Sequence, residues 1–378
     1  MILEKAGPIH MPSLLIILAA LLAPVLADIG FTPVPPLASG YGTPGRYVVA
    51  IDSIRHPAFR GAFVYLFHPR AESGAWPVIF FCHGIGEAAP AAYEALVDHM
   101  VSRGFAVVYS PYPALTASVA PRRAYDILWC GIQASVAAAA WRPYLDTSRI
   151  GFVGHSFGGG AVPSLAYKAL VEQHWGTRGA FLHIMAPWYS YNISKKQLAA
   201  FPRSTFLIVE VFADDAINDH RMARDIFSGI GIPEAQKTYA VLYSDSVKGF
   251  CLKADHNVPL GKADGTGVNA LDSYGIYRIF DALADCALER NEEARSLLLE
   301  KGERLLPMGT WFDGTPVFCL STTKSPVIFR PQSFYRNFWA HAMNPRARFT
   351  SVGDLLEYAL LTPVTLWNYY QHLIAKTL

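Results

Sequence analysis

Arg149-Ile150-Gly151-Phe152-Val153-Gly154-His155-Ser156-Phe157-Gly158-Gly159-Gly160 is the stretch on which the reading of this 378-residue chain turns. Its first five residues read as a short buried strand and residues 161–170 beyond it as a helix, with glycines on both sides of one serine. A strand that turns sharply into a helix at G-x-S-x-G is a nucleophile elbow. The serine backbone there is strained and the helix packs close to the strand, which is why glycines flank it. Such a turn presents Ser156 Oγ at the carboxyl edge of a sheet and at the positive end of a helix. Ser156 is therefore expected to be a nucleophile. A structural Gly/Ser turn would account for the five-residue pattern but not for its strand–turn–helix setting.

A serine nucleophile of this type needs a base and an acid, in the chain order Ser, acid, His. Residues 204–212 read as a buried strand ending at Ala213-Asp214-Asp215-Ala216-Ile217, so a carboxylate there reaches the same sheet edge. Asp214 and Asp215 are adjacent and only one can face the histidine. The other is a solvated loop charge or a cap for a helix near residues 219–227. Farther on, Lys253-Ala254-Asp255-His256-Asn257 offers His256 in a polar loop, with Asp255 as a loop-shaping neighbour. Upstream, residues 77–82 form an unbroken apolar run, as a central parallel strand should. That run ends in His83-Gly84-Ile85-Gly86, a loop able to present backbone N–H groups. The expected oxyanion donors are the N–H groups of Phe157 and Ile85, with His83 buttressing the loop.

The set H-G-I-G, G-H-S-F-G-G, a post-strand aspartate and a late histidine resembles the α/β-hydrolase superfamily. Within it the chain is similar to the dienelactone-hydrolase, cutinase-like polyester-hydrolase and platelet-activating-factor-acetylhydrolase branches. The phrase Leu145-Asp146-Thr147-Ser148-Arg149-Ile150-Gly151 is typical of those branches as well. The acetylhydrolase likeness departs at Ala186-Pro187-Trp188, which holds no carboxylate where that enzyme's acid would stand. The run Asp-Ala-Ile-Asn-Asp resembles the Asp-x-Ile/Val loop of relatives and favours Asp215, with Asp214 as the alternative. The resemblance covers residues 45–288 and implies an α/β-hydrolase fold and ester hydrolysis, with Ser156, His256 and Asp215 as the triad.

Composition fits a large folded domain. Hydrophobic residues make up 52% and charged residues 16%, so a sizeable core is available. The formal net charge of +2 comes without a dense basic run, so no nucleic-acid partner is expected. No C-x-x-C or H-E-x-x-H spacing occurs, and neither a metal nor a cofactor is expected. Residues 14–23 are apolar over the length of a signal-peptide core. Pro24 and the small Ala27 follow, so residues 1–27 are expected to be a signal peptide of an exported protein. A membrane anchor and a buried N-terminal helix are the alternatives. Five cysteines (Cys82, Cys130, Cys251, Cys286, Cys319) are too few for a disulfide scaffold, and export would permit a bridge among the last three.

Alternating strand and helix signals imply a doubly wound, mostly parallel sheet with helices on both faces and a C-terminal extension. The expected division is a leader at residues 28–45, a hydrolase domain at 46–290 and an extension at 291–378 packed on it. Expected strands cover residues 47–52, 62–68, 78–82, 105–109, 149–153, 181–185 and 205–212, with a last one near 239–243 or 249–252. Expected helices cover 91–103, 122–140, 161–170 and 271–288. Tyr109-Ser110-Pro111-Tyr112-Pro113 and Ala186-Pro187-Trp188-Tyr189 follow strands and could line a substrate pocket, with Trp188 as the binding residue; ordinary packing is the alternative. The aromatic-rich residues 305–378 could cap the site, mediate dimerisation, touch a membrane surface or simply pack. The expected substrate is a small-molecule or lipid-like carboxylic ester, cleaved through an acyl-enzyme. Acyl transfer or peptidase action on the same triad, or a non-catalytic hydrolase-like binding protein, are the alternatives.

Overall fold

In the computed structural model, the described residues are 32–346 apart from 71–73, 116–118, 262–266 and 301–303, together with residues 356 and 360. The expected signal segment and nearly all of residues 347–378 lie outside them.

Val49–Arg55 (β1) and Phe63–Pro69 (β2) form an antiparallel pair at one edge of a ten-stranded sheet. Six parallel strands make its centre: Trp76–Cys82 (β3), Ala106–Tyr109 (β4), Leu145–His155 (β5), Gly179–Met185 (β6), Phe206–Phe212 (β7) and Lys237–Leu242 (β8). Their spatial order is β4-β3-β5-β6-β7-β8, and β2 joins β4 antiparallel. The central strands are buried along nearly their whole length because helices cover both faces, which is why their sequences read as apolar runs without alternation. Glu94–Ser102 (α1) packs on one face. Pro121–Ala137 (α2), Phe157–Tyr167 (α3), Lys195–Ala199 (α4) and His220–Gly229 (α5) pack on the other. Arg278–Leu288 (α6) and Glu292–Leu299 (α7) return to the face of α1. This is the doubly wound, mostly parallel α/β architecture expected.

Several boundaries move for physical reasons. Helix α3 begins at Phe157, four residues before its apolar run, because the three glycines inside it let its first turn lie against the sheet. The segment read as one helix from 271 to 288 starts as a π-helical stretch, Leu271–Tyr277, before α6. Both candidates for the last strand exist. Lys237–Leu242 enters the sheet, whereas Phe250–Leu252 (β10) pairs with Asp245–Val247 (β9) in a separate hairpin. The described part of the leader is held along α6, where Tyr41 Oη donates to Asp285 at 3.0 Å and the Gly42 N–H to Asp281 at 2.8 Å.

The chain after residue 300 carries elements the sequence did not announce. Arg304–Leu306 (β11) and Leu320–Thr323 (β12) extend the sheet, β12 pairing antiparallel with β8 and β11 with β12. Strands of three and four residues are too short to display an alternation. No disulfide joins Cys251, Cys286 and Cys319.

Candidate active site

The elbow is built backbone against backbone. Ser156 has φ 57° and ψ −122°, a conformation that costs a non-glycine residue energy and persists only where its surroundings hold it. They do hold it. The Ser156 N–H donates to Met185 O at 3.0 Å, and its carbonyl accepts the N–H groups of Trp188 (2.8 Å) and Gly160 (3.0 Å). A Cβ on Gly158 would lie 2.0 Å from the Cys82 carbonyl oxygen, and one on Gly154 would lie 2.6 Å from Val162 Cγ2. The two flanking glycines are thus imposed by close approach between α3, β5 and the end of β3.

From this turn a relay of side chains runs across the carboxyl edge. Ser156 Oγ donates to His256 Nε2 at 2.9 Å, and His256 Nδ1 donates to Asp215 Oδ2 at 2.8 Å. Ser156 and His256 are each 6% exposed and Asp215 is fully buried. The other oxygen of Asp215 accepts the N–H groups of Ile217 (2.7 Å) and Asn218 (3.1 Å). Asp214 faces the opposite way and pairs with Arg330 at 2.6 Å. Of the two adjacent carboxylates, only Asp215 meets His256. Asp255 accepts the Asn257 N–H at 2.9 Å and pairs with Lys253, shaping the loop that carries the histidine.

The N–H groups of Ile85 and Phe157 meet no acceptor among the described residues. Phe157 opens α3, so its amide adds to the positive end of that helix. Beneath the Ile85 loop, His83 stacks between Tyr112 and Tyr109, with ring centroids 4.2 and 5.2 Å away. Its Nδ1 donates to Gly84 O at 2.8 Å, and burial lowers its pKa to about 4. A ring so hard to protonate is a neutral buttress. The residue before the serine joins the same framework. His155 Nε2 donates to the His256 carbonyl at 2.9 Å and Nδ1 accepts from Tyr93 Oη at 2.8 Å, while Tyr93 Oη in turn accepts the Gly84 N–H at 2.9 Å. Burial raises the Tyr93 phenol well above its ordinary pKa, so its proton stays to make this chain.

The cavity over Ser156 is walled by Ile85, Glu87, Trp188, Ile217, Leu260 and Arg336, with Asn337 beside them. Trp188 is nearly buried and lines this cavity. The loop after β4 does not. Tyr109 Oη bonds to Glu87 O and Tyr112 stacks on His83, so this loop packs beneath the Ile85 loop instead of lining the pocket. Sequence reasoning missed Glu87, Asn218, Arg336 and Asn337. Asn218 lies in the quoted acid loop. Arg336 and Asn337 come from a stretch whose only visible signal was aromatic content. They reach the site because the Arg336 and Asn337 N–H groups donate to Ala216 O (2.7 Å) and Ile217 O (2.8 Å), and the Asp219 N–H donates to Asn337 O (3.0 Å).

Residues 44–174 match the family model for chlorophyllase, a family of the α/β-hydrolase superfamily. That family is not among the branches the sequence suggested, but it lies in the same superfamily. The match spans the Ile85 loop and the elbow and ends before Asp215 and His256. No curated protein matches the chain.

Proposed function

We propose that this protein is a serine hydrolase of carboxylic esters, with Ser156 as nucleophile, His256 as base and then acid, and Asp215 orienting His256. The observation that carries the reading is the unbroken Ser156–His256–Asp215 relay at 2.9 and 2.8 Å on a strained elbow. Asp215 holds the imidazole with Nδ1 protonated, leaving the Nε2 lone pair to take the serine proton. Oγ attacks the ester carbonyl, and the Ile85 and Phe157 N–H groups receive the developing oxyanion. Such a donor typically contributes about 3 kcal/mol in the transition state. The protonated His256 gives its proton to the departing alcohol, and water then resolves the acyl-enzyme. The chlorophyllase match supports ester hydrolysis and makes an ester of chlorophyll one substrate to test. The chain is also proposed to be exported, because the apolar residues 14–23 are followed by Pro24 and Ala27. N-terminal sequencing from a secreting host should find a start near Asp28; an intact terminus on protein retained in the cytoplasm would refute export.

The reading is tested with a fluorophosphonate probe and p-nitrophenyl esters of graded acyl length. Covalent labelling at Ser156, lost in Ser156→Ala together with hydrolysis, is the expected result. A folded protein that neither labels nor hydrolyses any of the esters would overturn it.

A further inference from the structure

Asn218 reaches the nucleophile itself. Its Nδ2 lies 3.4 Å from Ser156 Oγ and 3.0 Å from the Ala186 carbonyl. The orientation of this amide is determined by its neighbours. The Ala186 oxygen can only accept, so the side facing it and Ser156 must be the NH2 group. The Asn218 carbonyl then points away, where Asn337 Nδ2 donates to it at 3.2 Å. Asn218 is 1% exposed and Asn337 8%, so solvent scarcely competes for these contacts. The backbone is held too, by the Asn218 N–H on Asp215 and the parallel bridge between residues 218 and 337.

We propose that Asn218 is a further catalytic residue, its amide N–H stabilising Ser156 Oγ as a leaving group, with Asn337 as its positioning residue. The proposal rests on Ser156 being the nucleophile. In the resting enzyme Oγ donates to His256 and can accept from Asn218 through a lone pair not needed for attack. The larger effect falls on deacylation. Water adds to the acyl carbon while His256 Nε2 takes its proton. The tetrahedral intermediate collapses, the C–Oγ bond breaks, and its electron pair goes to Oγ, which receives the proton back from His256. An ester oxygen accepts hydrogen bonds poorly, whereas a departing serine oxygen accepts them well. The Asn218 contact therefore strengthens between ground and transition state, which is the condition for a contact to speed a step. In acylation the hydroxyl oxygen already accepts well at the start, and the gain is smaller.

The experiment is stopped-flow hydrolysis of a p-nitrophenyl ester by the full chain, its Asn218→Leu variant and its Asn337→Ala variant. Fluorophosphonate labelling and circular dichroism are followed in parallel. For Asn218→Leu the expected result is a roughly tenfold fall in kcat, the scale of one hydrogen bond. A smaller fall in kcat/KM and a larger burst of p-nitrophenol should accompany it as acyl-enzyme accumulates. Asn337→Ala should shift the same three readouts in the same direction by less, and it carries the test should Asn218→Leu not fold. Labelling at Ser156 with kcat within twofold of the parent, or equal falls in kcat and kcat/KM without a larger burst, would overturn the role of Asn218 while leaving the nucleophile in place. A parent that neither labels at Ser156 nor hydrolyses esters would remove the underlying reading and this one with it.

Discussion

Two pairs of neighbouring or similar residues at this site differ in what surrounds them. Asp214 and Asp215 share a loop, yet one meets Arg330 and the other His256. Asp215→Asn should lower turnover by roughly ten-thousand-fold, because an amide favours the wrong histidine tautomer. Asp214→Asn should stay within several-fold of the parent. Steady-state kinetics on one ester checks both, and equal small losses would place the orienting acid elsewhere. His83 and His256 are both histidines near Ser156, but His83 is sealed between tyrosines and its pKa falls to about 4. The sign of the resulting pH effect follows from burial. The native state prefers the neutral ring, so the unfolded chain binds more protons between pH 6.5 and 4. Native stability must therefore fall as pH drops through that window, by about 3 kcal/mol in all. Urea unfolding at pH 7 and pH 5 should show a weaker pH dependence in His83→Gln than in the parent. An unchanged dependence would mean that another group accounts for it.

At the scale of elements, the site depends on how closely α3 approaches the sheet. Gly158 leaves no room for a methyl group, since the Cys82 and His83 carbonyl oxygens would lie 2.0 and 2.4 Å from its Cβ. Both are backbone atoms at the root of the Ile85 loop and neither can rotate away. Gly158→Ala should cost about 1–3 kcal/mol through overpacking. It should also cut turnover on the order of a hundredfold, because a displacement near 1 Å at the proposed oxyanion donors is enough to do so. Thermal unfolding and esterase assays on the variant measure the two effects. Full activity at parental stability would show that the loop and helix separate freely. The strap at residues 336–340 is the second such device. It bonds along the acid loop, and the Ala340 N–H and Phe338 carbonyl meet the Tyr189 hydroxyl at 2.8 and 3.2 Å, joining the loop after β7 to the loop after β6.

At the scale of the molecule, residues after 300 are part of the sheet and of one core. Leu306, Met308, Trp311, Val317 and Leu320 are buried in the cluster that also holds α1 and α6. Each such side chain contributes about 2 kcal/mol by leaving water. Their joint loss rivals the whole net stability of a typical domain, roughly 5–15 kcal/mol. Removing them would also bare the edge of β8, a template for association. A chain ended after residue 290 should therefore aggregate or melt well below the full chain. Soluble yield and thermal unfolding decide it, and a soluble product with the parental melting temperature would refute the dependence.

The sequence alone determined the central sheet, the strand–turn–helix around Ser156, the glycine-rich loop after β3 and the polar loop that carries His256. Each of these is local: an apolar run, a glycine-flanked turn or a loop at a strand end is written in consecutive residues. Tertiary structure decided everything that depended on which groups meet across the fold. It separated Asp215 from Asp214 through Arg330, 115 positions or more along the chain. It sent the loop after β4 beneath the Ile85 loop and left Trp188 in the cavity wall. It also brought Arg336 and Asn337 to the site from a segment with no periodic pattern. Their places follow from backbone hydrogen bonds to the acid loop, which any side chain can accompany, and so no residue type there announced them.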